Sequence, residues 1–378
     1  MLTPGALNDL TILELGHSVA APYAGLILAE LGARVIKVEN PVTGDYARGW
    51  GPPFLDDDAT AFHALNRGKE SVTLDFSDPA QRDVLKTMIM ASDAVIQNLR
   101  PGLLLKFGIA PEDILREKPD LIWCDIGAFG KAGPLARKPG YDPLAQASTG
   151  IMSVTGEENR PPVRVGVSLV DMGSGMWTVI GLLSALVERQ RSGKGAHIST
   201  SLFETGLAWM TIPLAAYAVS GEVRKPYGSG LSEIVPYQAF EARDGWIMVA
   251  AGNDKLFSKL CEAIPALREV GRDPRFARNR DRVELRQELV PAIERAFKSL
   301  SVAEAGAALD AAQVPNCPLL QVDQVWSHPQ TKAVEILTEA NGHQWVGLPF
   351  SINNWRPTSG HAAPKLGEHN ANFRKEQQ

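Results

Sequence analysis

The sequence predicts an α/β protein: a large domain built on a mainly parallel sheet covered by helices, followed by a smaller α+β domain. Three observations carry this. Thr11 to Leu15 is a short apolar strand, Pro22 to Leu31 an apolar helix and Arg34 to Glu39 a second strand, which together form a βαβ unit. The alternation continues with a strand at Ser71 to Phe76, a helix at Pro79 to Ala91 and strands at Ala94 to Gln97 and Leu121 to Ile126, the pattern of parallel strands joined by crossover helices. The character then changes after Gly221, where a Gly-, Pro- and Lys/Arg-rich stretch leads into a hairpin and charged amphipathic helices.

Between these regions, Arg164 is followed by a β-branched apolar run, Val165 to Val170, broken by Gly166 and Ser168, which leads into Asp171-Met172-Gly173-Ser174-Gly175. We read Gly173-Ser174-Gly175 as a turn and expect an apolar helix from Met176 to about Arg191. A turn there lets the backbone approach a ligand and leaves Asp171 partly desolvated at a helix start, where free N–H groups and the helix dipole favour an ionised carboxylate. That suits a nucleophile, and the same pattern equally describes a helix cap. Gly193 to Ser201 reads as a turn and strand, and Leu202 to Val219 as one apolar helix.

The hairpin pairs Tyr237 to Phe240 with Trp246 to Ala250 around Arg243-Asp244-Gly245, and helices follow at Lys255 to Ile264 and Arg282 to Ser299. The expected organisation is a large domain over 1–225, a small domain over 226–314 and a return to the large domain over 315–378.

Composition narrows the function classes. The chain has 378 residues, 44% hydrophobic and 21% charged, ordinary values for a protein with a substantial core. Cys124, Cys261 and Cys317 form no CxxC pair, which argues against a disulfide framework or zinc ribbon and fits a reducing cytoplasm. No histidine spacing suggests a metal site. We read neither signal peptide nor membrane anchor, since the apolar stretch Gly206 to Val219 is short and interrupted by Pro213. A net charge of −5 disfavours nucleic acid and requires any polyanionic ligand to meet a local cluster of basic residues.

Such residues recur at loops and strand ends: Arg48, Arg67 and Lys69, Arg100 and Lys106, Arg137 and Lys138. Asn98-Leu99-Arg100 comes directly off a strand, where open α/β sheets bind ligands. The first crossing loop, Gly16 to Pro22, lacks the GxGxxG spacing of a dinucleotide site, although the following strand ends in Glu39. His17 lies at the carboxyl end of a strand, and Asp142 in Gly140-Tyr141-Asp142-Pro143.

In order and spacing these segments resemble the class III CoA-transferases, the family of formyl-CoA transferase, carnitine CoA-transferase and α-methylacyl-CoA racemase. The resemblance runs through Leu13 to His17, Leu31 to Glu39, Gly44-Asp45 with Arg48, Asn66 to Lys69, Arg100 to Gly102, Gly127 to Gly130 with Gly133-Pro134, Tyr141-Asp142, Asp171 with Gly175, and Gly193 to Gly195. It implies a Rossmann-like CoA-binding domain, an interlocked homodimer, and Asp171 as a nucleophile that carries CoA through a covalent aspartyl intermediate. CoA is then a substrate, as acyl-CoA, rather than a resident cofactor. The resemblance also implies substrate contacts at His17, Val19, Arg48, Tyr141, Asp142, Gly228 and Gly230, and CoA contacts at Asn40, Arg67, Leu74, Asn98, Leu99, Arg100 and Lys106.

Tyr141 stands where the racemase branch has a basic histidine, which argues against an isomerase or epimerase of the same fold. Val19 and the short Gly228-Ser229-Gly230 depart from the formyl-CoA:oxalate type. Trp50 to Phe54 and Ile234 to Phe240 are similar to segments of the succinyl-CoA:glutarate group. Arg48, beside the Trp50 loop, is accordingly expected to hold the distal carboxylate of a dicarboxylate acid. A CoA-binding protein without catalysis is the alternative from another class, and a retained Asp171 argues against it.

Overall fold

A computed structural model describes residues 5–376. They form two compact units, one comprising 5–151, 165–212 and 329–376, the other 152–164 and 213–328. The boundaries differ from the expected 226–314: residues 213–225 and 315–328 and the excursion 152–164 belong to the smaller unit. One physical reason is backbone pairing, since Gly228 N–H donates to Gly156 O and Glu157 bridges Tyr227, contacts no linear reading of the chain displays.

The larger unit is built on six strands: β1 (Thr11–Leu15), β2 (Arg34–Glu39), β3 (Lys69–Thr73), β4 (Ala94–Gln97), β5 (Ile122–Gly127) and β6 (His197–Ser201). They lie in the order β3-β2-β1-β4-β5-β6, every pair parallel. The helices introduced with them are α1 (Ala20–Glu30), α2 (Pro79–Ala91), α3 (Leu103–Lys106), α4 (Pro111–Glu117), α5 (Asp142–Ser148), α6 (Leu169–Ser192) and α7 (Leu202–Trp209). The chain order reverses between β1 and β4, which opens a crevice beyond the carboxyl ends of those strands. Leu13, Val95 and Trp123 are fully buried in a core with Leu85 and Ile89 of α2.

Two helix expectations are corrected. Gly173-Ser174-Gly175 is not a turn but the interior of α6, which starts at Leu169 and continues to Ser192. The glycines serve helix packing: a Cβ on Gly175 would stand 2.7 Å from Ala20 O of α1, and one on Gly173 2.9 Å from the Trp209 ring. The apolar stretch after Leu202 is two helices, α7 and α8 (Thr211–Ser220), separated at Met210. By length and composition alone α6 passes for a membrane span, yet Val170, Val179 and Leu182 are buried within the fold.

In the smaller unit β7 (Tyr237–Ala242), β8 (Gly245–Ala250) and β9 (Asn316–Pro318) form an antiparallel sheet in the order β9-β8-β7. The hairpin turns at Arg243-Asp244 as expected. Helices α9 (Asp254–Ala263), α10 (Arg286–Lys298) and α11 (Val302–Ala311) supply the rest of its core, where the rings of Phe240 and Phe297 stack at 5.1 Å. The expected Arg282 to Ser299 helix is interrupted at Leu285, and Arg282 is wholly buried, its guanidinium donating to Val235 O and Phe276 O.

Candidate active site

The site grows from the β1–β4 crevice. Gly16 follows β1, and a Cβ there would meet Ala21 Cβ at 2.3 Å and Asn98 Oδ1 at 3.1 Å, so a glycine is needed for the loop to lie against the end of β4. His17 and Asn98 then lock the two strand ends together: His17 N–H donates to Asn98 Oδ1 at 3.0 Å and Asn98 Nδ2 donates to His17 O at 2.9 Å. Ser18 takes a left-handed φ of 70°, held by its N–H donating to Asp45 Oδ1 at 2.8 Å.

Under this loop lies a buried chain of charges. Lys37 Nζ donates to Gly16 O and Glu14 Oε1, both at 2.8 Å, and pairs with Asp45 Oδ2 at 2.8 Å. Lys69 Nζ pairs with Glu14 Oε2 at 2.7 Å and donates to Pro22 O at 2.7 Å in the first turn of α1. Burial and the neighbouring Lys37 bring the Lys69 ammonium down to about 8 against the pull of Glu14, whereas Asp45, Glu14 and Glu39 hold Lys37 above its ordinary value despite burial. The loop and the start of α1 are thereby fixed from below. Val19, the N-cap of α1, offers no side-chain cap.

Two adjoining cavities result. The first, about 240 Å³, is lined by His17, Val19, Ala20, Arg100, Lys138, Tyr141 and Asp171. The second, about 360 Å³, is lined by Asn40, Leu74, Phe76, Leu99 and Phe107. His17, Tyr46 and Leu99 border both, with the His17 ring edge-on to Tyr46 at 4.8 Å. Burial lowers the His17 imidazole below its ordinary range, with Lys37 and Arg100 acting in the same direction against Asp45.

Asp171 stands in the first turn of α6, 8% exposed, and is not the cap: Ser168 holds that position without a side-chain bond. The capping is done from α5. Asp142 Oδ2 accepts from Val170 N–H at 2.7 Å and from Asp171 N–H at 3.1 Å, while Asp142 Oδ1 accepts from Gln146. Burial first, and then the charge of Asp142, push the Asp171 carboxyl up to about 7. A carboxylate made this costly to ionise and facing a cavity is a strong nucleophile once deprotonated.

Most of the residues expected at a site are brought together here: His17, Val19, Asn98, Leu99, Arg100, Tyr141 and Asp171 at the first cavity, Asn40 and Leu74 at the second, and Asp142 immediately behind Asp171. Three basic residues are not. Arg48 is buried, its Nε and Nη2 donating to Glu39 at 2.8 and 2.7 Å and its Nη1 to Asp58 at 2.6 Å, with its guanidinium 3.7 Å from the centre of the Phe62 ring. It is fully paired and lines neither cavity, which corrects its expected role as a cation for a substrate carboxylate. Arg67 is likewise buried, paired with Glu30 at 3.4 Å and donating to Ala64 O and Val346 O, so it is unavailable to a phosphate. Lys106 is exposed in the last turn of α3 and lines neither cavity. Gly228 and Gly230 lie in the smaller unit, where Ser229 Oγ accepts from Ala239 N–H and Gly228 has a φ of 61°.

Sequence reasoning passed over Tyr46, Phe76 and Phe107 and placed Lys138 only among the basic residues that could meet a polyanionic ligand. For Lys138 the signal was its place three residues before Tyr141, and for Tyr46 its place directly after Gly44-Asp45.

Residues 7–370 match CoA-transferase family III, and the chain belongs to that family and is an enzyme of its class. It is 37% identical over 374 residues to the acetyl-CoA:oxalate CoA-transferase of Acetobacter aceti, covering 98% of this chain and 96% of that one. It is 33% identical to the succinyl-CoA:glutarate CoA-transferase of Mus musculus, covering 98% of this chain and 86% of the other. Among solved structures, a CAIB/BAIF family protein from Brucella suis superimposes with a TM-score of 0.90 at 36% identity, with both chains covered completely.

Proposed function

We propose that this CoA-transferase works through Asp171 as a covalent carrier and that its acids include dicarboxylates. The observation that carries the reading is the Asp171 carboxyl, buried, raised to about 7 and lining a cavity at the carboxyl ends of β1 and β4. The Asp171 carboxylate attacks the donor thioester carbonyl, forming an acyl–aspartyl anhydride and expelling CoA as thiolate. The thiolate attacks the Asp171 carbonyl, releasing the donor acid and leaving an aspartyl-CoA thioester. The acceptor carboxylate attacks that thioester and frees CoA thiolate again. The thiolate then attacks the acceptor acyl carbon, giving the new acyl-CoA and restoring Asp171.

Since Gly173 and Gly175 lie inside α6, they are not the donors to the developing oxyanion. The uncapped start of α1 at Val19 and Ala20, which lines the same cavity, supports that role instead. The strand order β3-β2-β1-β4-β5-β6 supports a Rossmann-like CoA domain, with the nucleotide in the second cavity between Leu74, Phe76 and Phe107. With Arg48 buried, Lys138 becomes the cation for a distal carboxylate. Both relatives carry a dicarboxylate in their names, which supports that class of acid. Apolar residues left exposed on α6, among them Met176, Trp177 and Ile180, support a homodimer. The cysteine usage supports a cytoplasmic setting.

The test is to mix the enzyme with succinyl-CoA and hydroxylamine in the absence of acceptor and map the peptides. A hydroxamate on Asp171 is expected; an unmodified Asp171 after turnover with donor overturns the carrier role.

A further inference from the structure

A third cavity of about 410 Å³ opens on the larger unit beside the first, and Leu99, Arg100, Pro101, Ile126 and Gly127 border both. Its floor is a polar row across three strands. Gln97, Asp125 and Ser199 are register partners on β4, β5 and β6, and all three line it. Asp125 is well supplied with donors: Trp123 Nε1 at 2.7 Å and Gln97 Nε2 at 2.6 Å to Oδ1, with His197 Nε2 at 2.7 Å from Oδ2.

The same His197 Nε2 lies 2.9 Å from Lys131 Nζ. A ring nitrogen either donates to Asp125 or accepts from Lys131, and Lys131 Nζ, half exposed, also lies 3.5 Å from Asp125 Oδ2. An anion entering the cavity can accept from the half-exposed Lys131 while His197 Nε2–H donates to Asp125. Two further cations border the cavity, Arg100 from the loop after β4 and Arg137 from the loop after β5, and both are exposed with no ion pair among the described residues. Leu104, Leu105 and Ile126 add apolar surface to the lining, which also includes Glu112. Planar guanidiniums on separate loops with apolar surface in the same lining match two carboxylates on a short hydrocarbon spacer better than a compact phosphate.

We propose that this cavity is a second substrate site that holds the free dicarboxylate acid next to the Asp171 cavity while CoA occupies the nucleotide side, with Arg100 shared between them. This rests on the reading of the chain as a dicarboxylate transferase. It adds a docking place for the acid that is separate from the carrier carboxylate and from the CoA phosphates.

The experiment is a titration of glutarate, butyrate and inorganic phosphate into the full chain carrying Asp171→Asn. Binding is followed by calorimetry and by the ring signals of His197, assigned through their loss in His197→Gln. Glutarate is expected to bind and move the His197 signals more than butyrate or phosphate does. Adding Lys131→Met and Arg137→Met is expected to weaken glutarate by about tenfold or more, the effect of losing charge-assisted bonds, with CoA affinity unchanged. Both substitutions are of exposed residues and leave the core intact. Glutarate affinity unaffected by the pair, or glutarate binding that leaves the His197 signals in place, overturns the site. Phosphate moving those signals as strongly as glutarate makes it an unspecific anion site, and a parallel loss of CoA affinity makes it a nucleotide-phosphate site; either result overturns the proposal. Because no turnover is involved, these outcomes are independent of the hydroxylamine trap on which the covalent reading stands.

Discussion

Asp142 Oδ2 accepts the backbone N–H of Asp171 at 3.1 Å, so the carboxylate that caps the helix also sits against the carboxylate that the helix presents. The two do different work because their surroundings differ. Asp142 spends its charge on Val170 N–H, Asp171 N–H and Gln146. Asp171 faces the cavity, and burial and the Asp142 charge keep its proton on to about 7.

The first prediction is a pH profile. In the proposed mechanism Asp171 attacks only when ionised, so kcat/KM is expected to rise about tenfold per pH unit below about 7 and level off above it. Asp142→Asn keeps an oxygen to accept the helix N–H groups and removes the charge, so the midpoint moves to lower pH while burial still holds it above the ordinary carboxylate range. A midpoint that stays put in Asp142→Asn contradicts the coupling.

The same raised carboxyl affects stability. An unfolded aspartate titrates at about 3.9. Asp171 in the folded chain titrates at about 7, so between these values the folded state holds a proton that the unfolded state has lost. Stability therefore falls as pH rises through that window, and the cost is fully present above it. Asp171→Asn is expected to stabilise the chain by a few kcal/mol at about pH 8, since each pH unit crossed in that window costs ~1.4 kcal/mol, and hardly at all near pH 4. Paired melts of both proteins at the two pH values check this, and an equal difference at both contradicts it.

A third prediction concerns the glycines that looked like a turn. In a helix interior Ala is favoured over Gly by about 1 kcal/mol. At Gly175 the added methyl would meet backbone on both sides, Ala20 O at 2.7 Å and Ala24 N at 3.1 Å, and overpacking of that kind costs about 1–3 kcal/mol. At Gly181 the nearest neighbour is the Ile198 Cγ2 methyl at 3.0 Å, and no backbone atom is among its three nearest contacts. Thermal melts should show Gly175→Ala less stable than Gly181→Ala, with activity falling in the former as α1 moves away from Asp171.

These contrasts show what was legible in the sequence. The β1-α1-β2 unit, the α2 and β4 bounds and the hairpin at Arg243-Asp244 follow from local periodicity and turn residues, which short segments display by themselves. Asp171 stands out in the sequence because its neighbours form an ordered set of motifs, and in the structure it lines a cavity. The Gly-Ser-Gly segment was misread because two glycines signal a turn locally, whereas their reason here is the approach of α1 and Trp209, which only the tertiary structure supplies. The basic residues failed in the same way. Arg48, Arg67 and Arg100 look alike in sequence, and burial against Glu39 or Glu30 is what removes the first two from ligand binding.

The last prediction follows from that burial. Arg48 links Glu39, at the end of β2, to Asp58, and its guanidinium lies over the Phe62 ring. Glu39 in turn accepts from Asp45 N–H at 2.9 Å, and Asp45 holds Ser18 and Lys37 at the loop after β1. Arg48→Met leaves Glu39 without its main cation. Breaking a buried pair on one side typically costs about 3–5 kcal/mol, far more than the loss of an exposed ion pair. Because Arg48 lines neither of the two adjoining cavities, the loss should not discriminate between acids: glutarate and butyrate turnover should fall together, alongside a lower melting temperature. Parallel acid panels on the wild-type and Arg48→Met enzymes decide it. A loss confined to dicarboxylates, with the melting temperature unchanged, would restore Arg48 to the substrate and contradict the buried network.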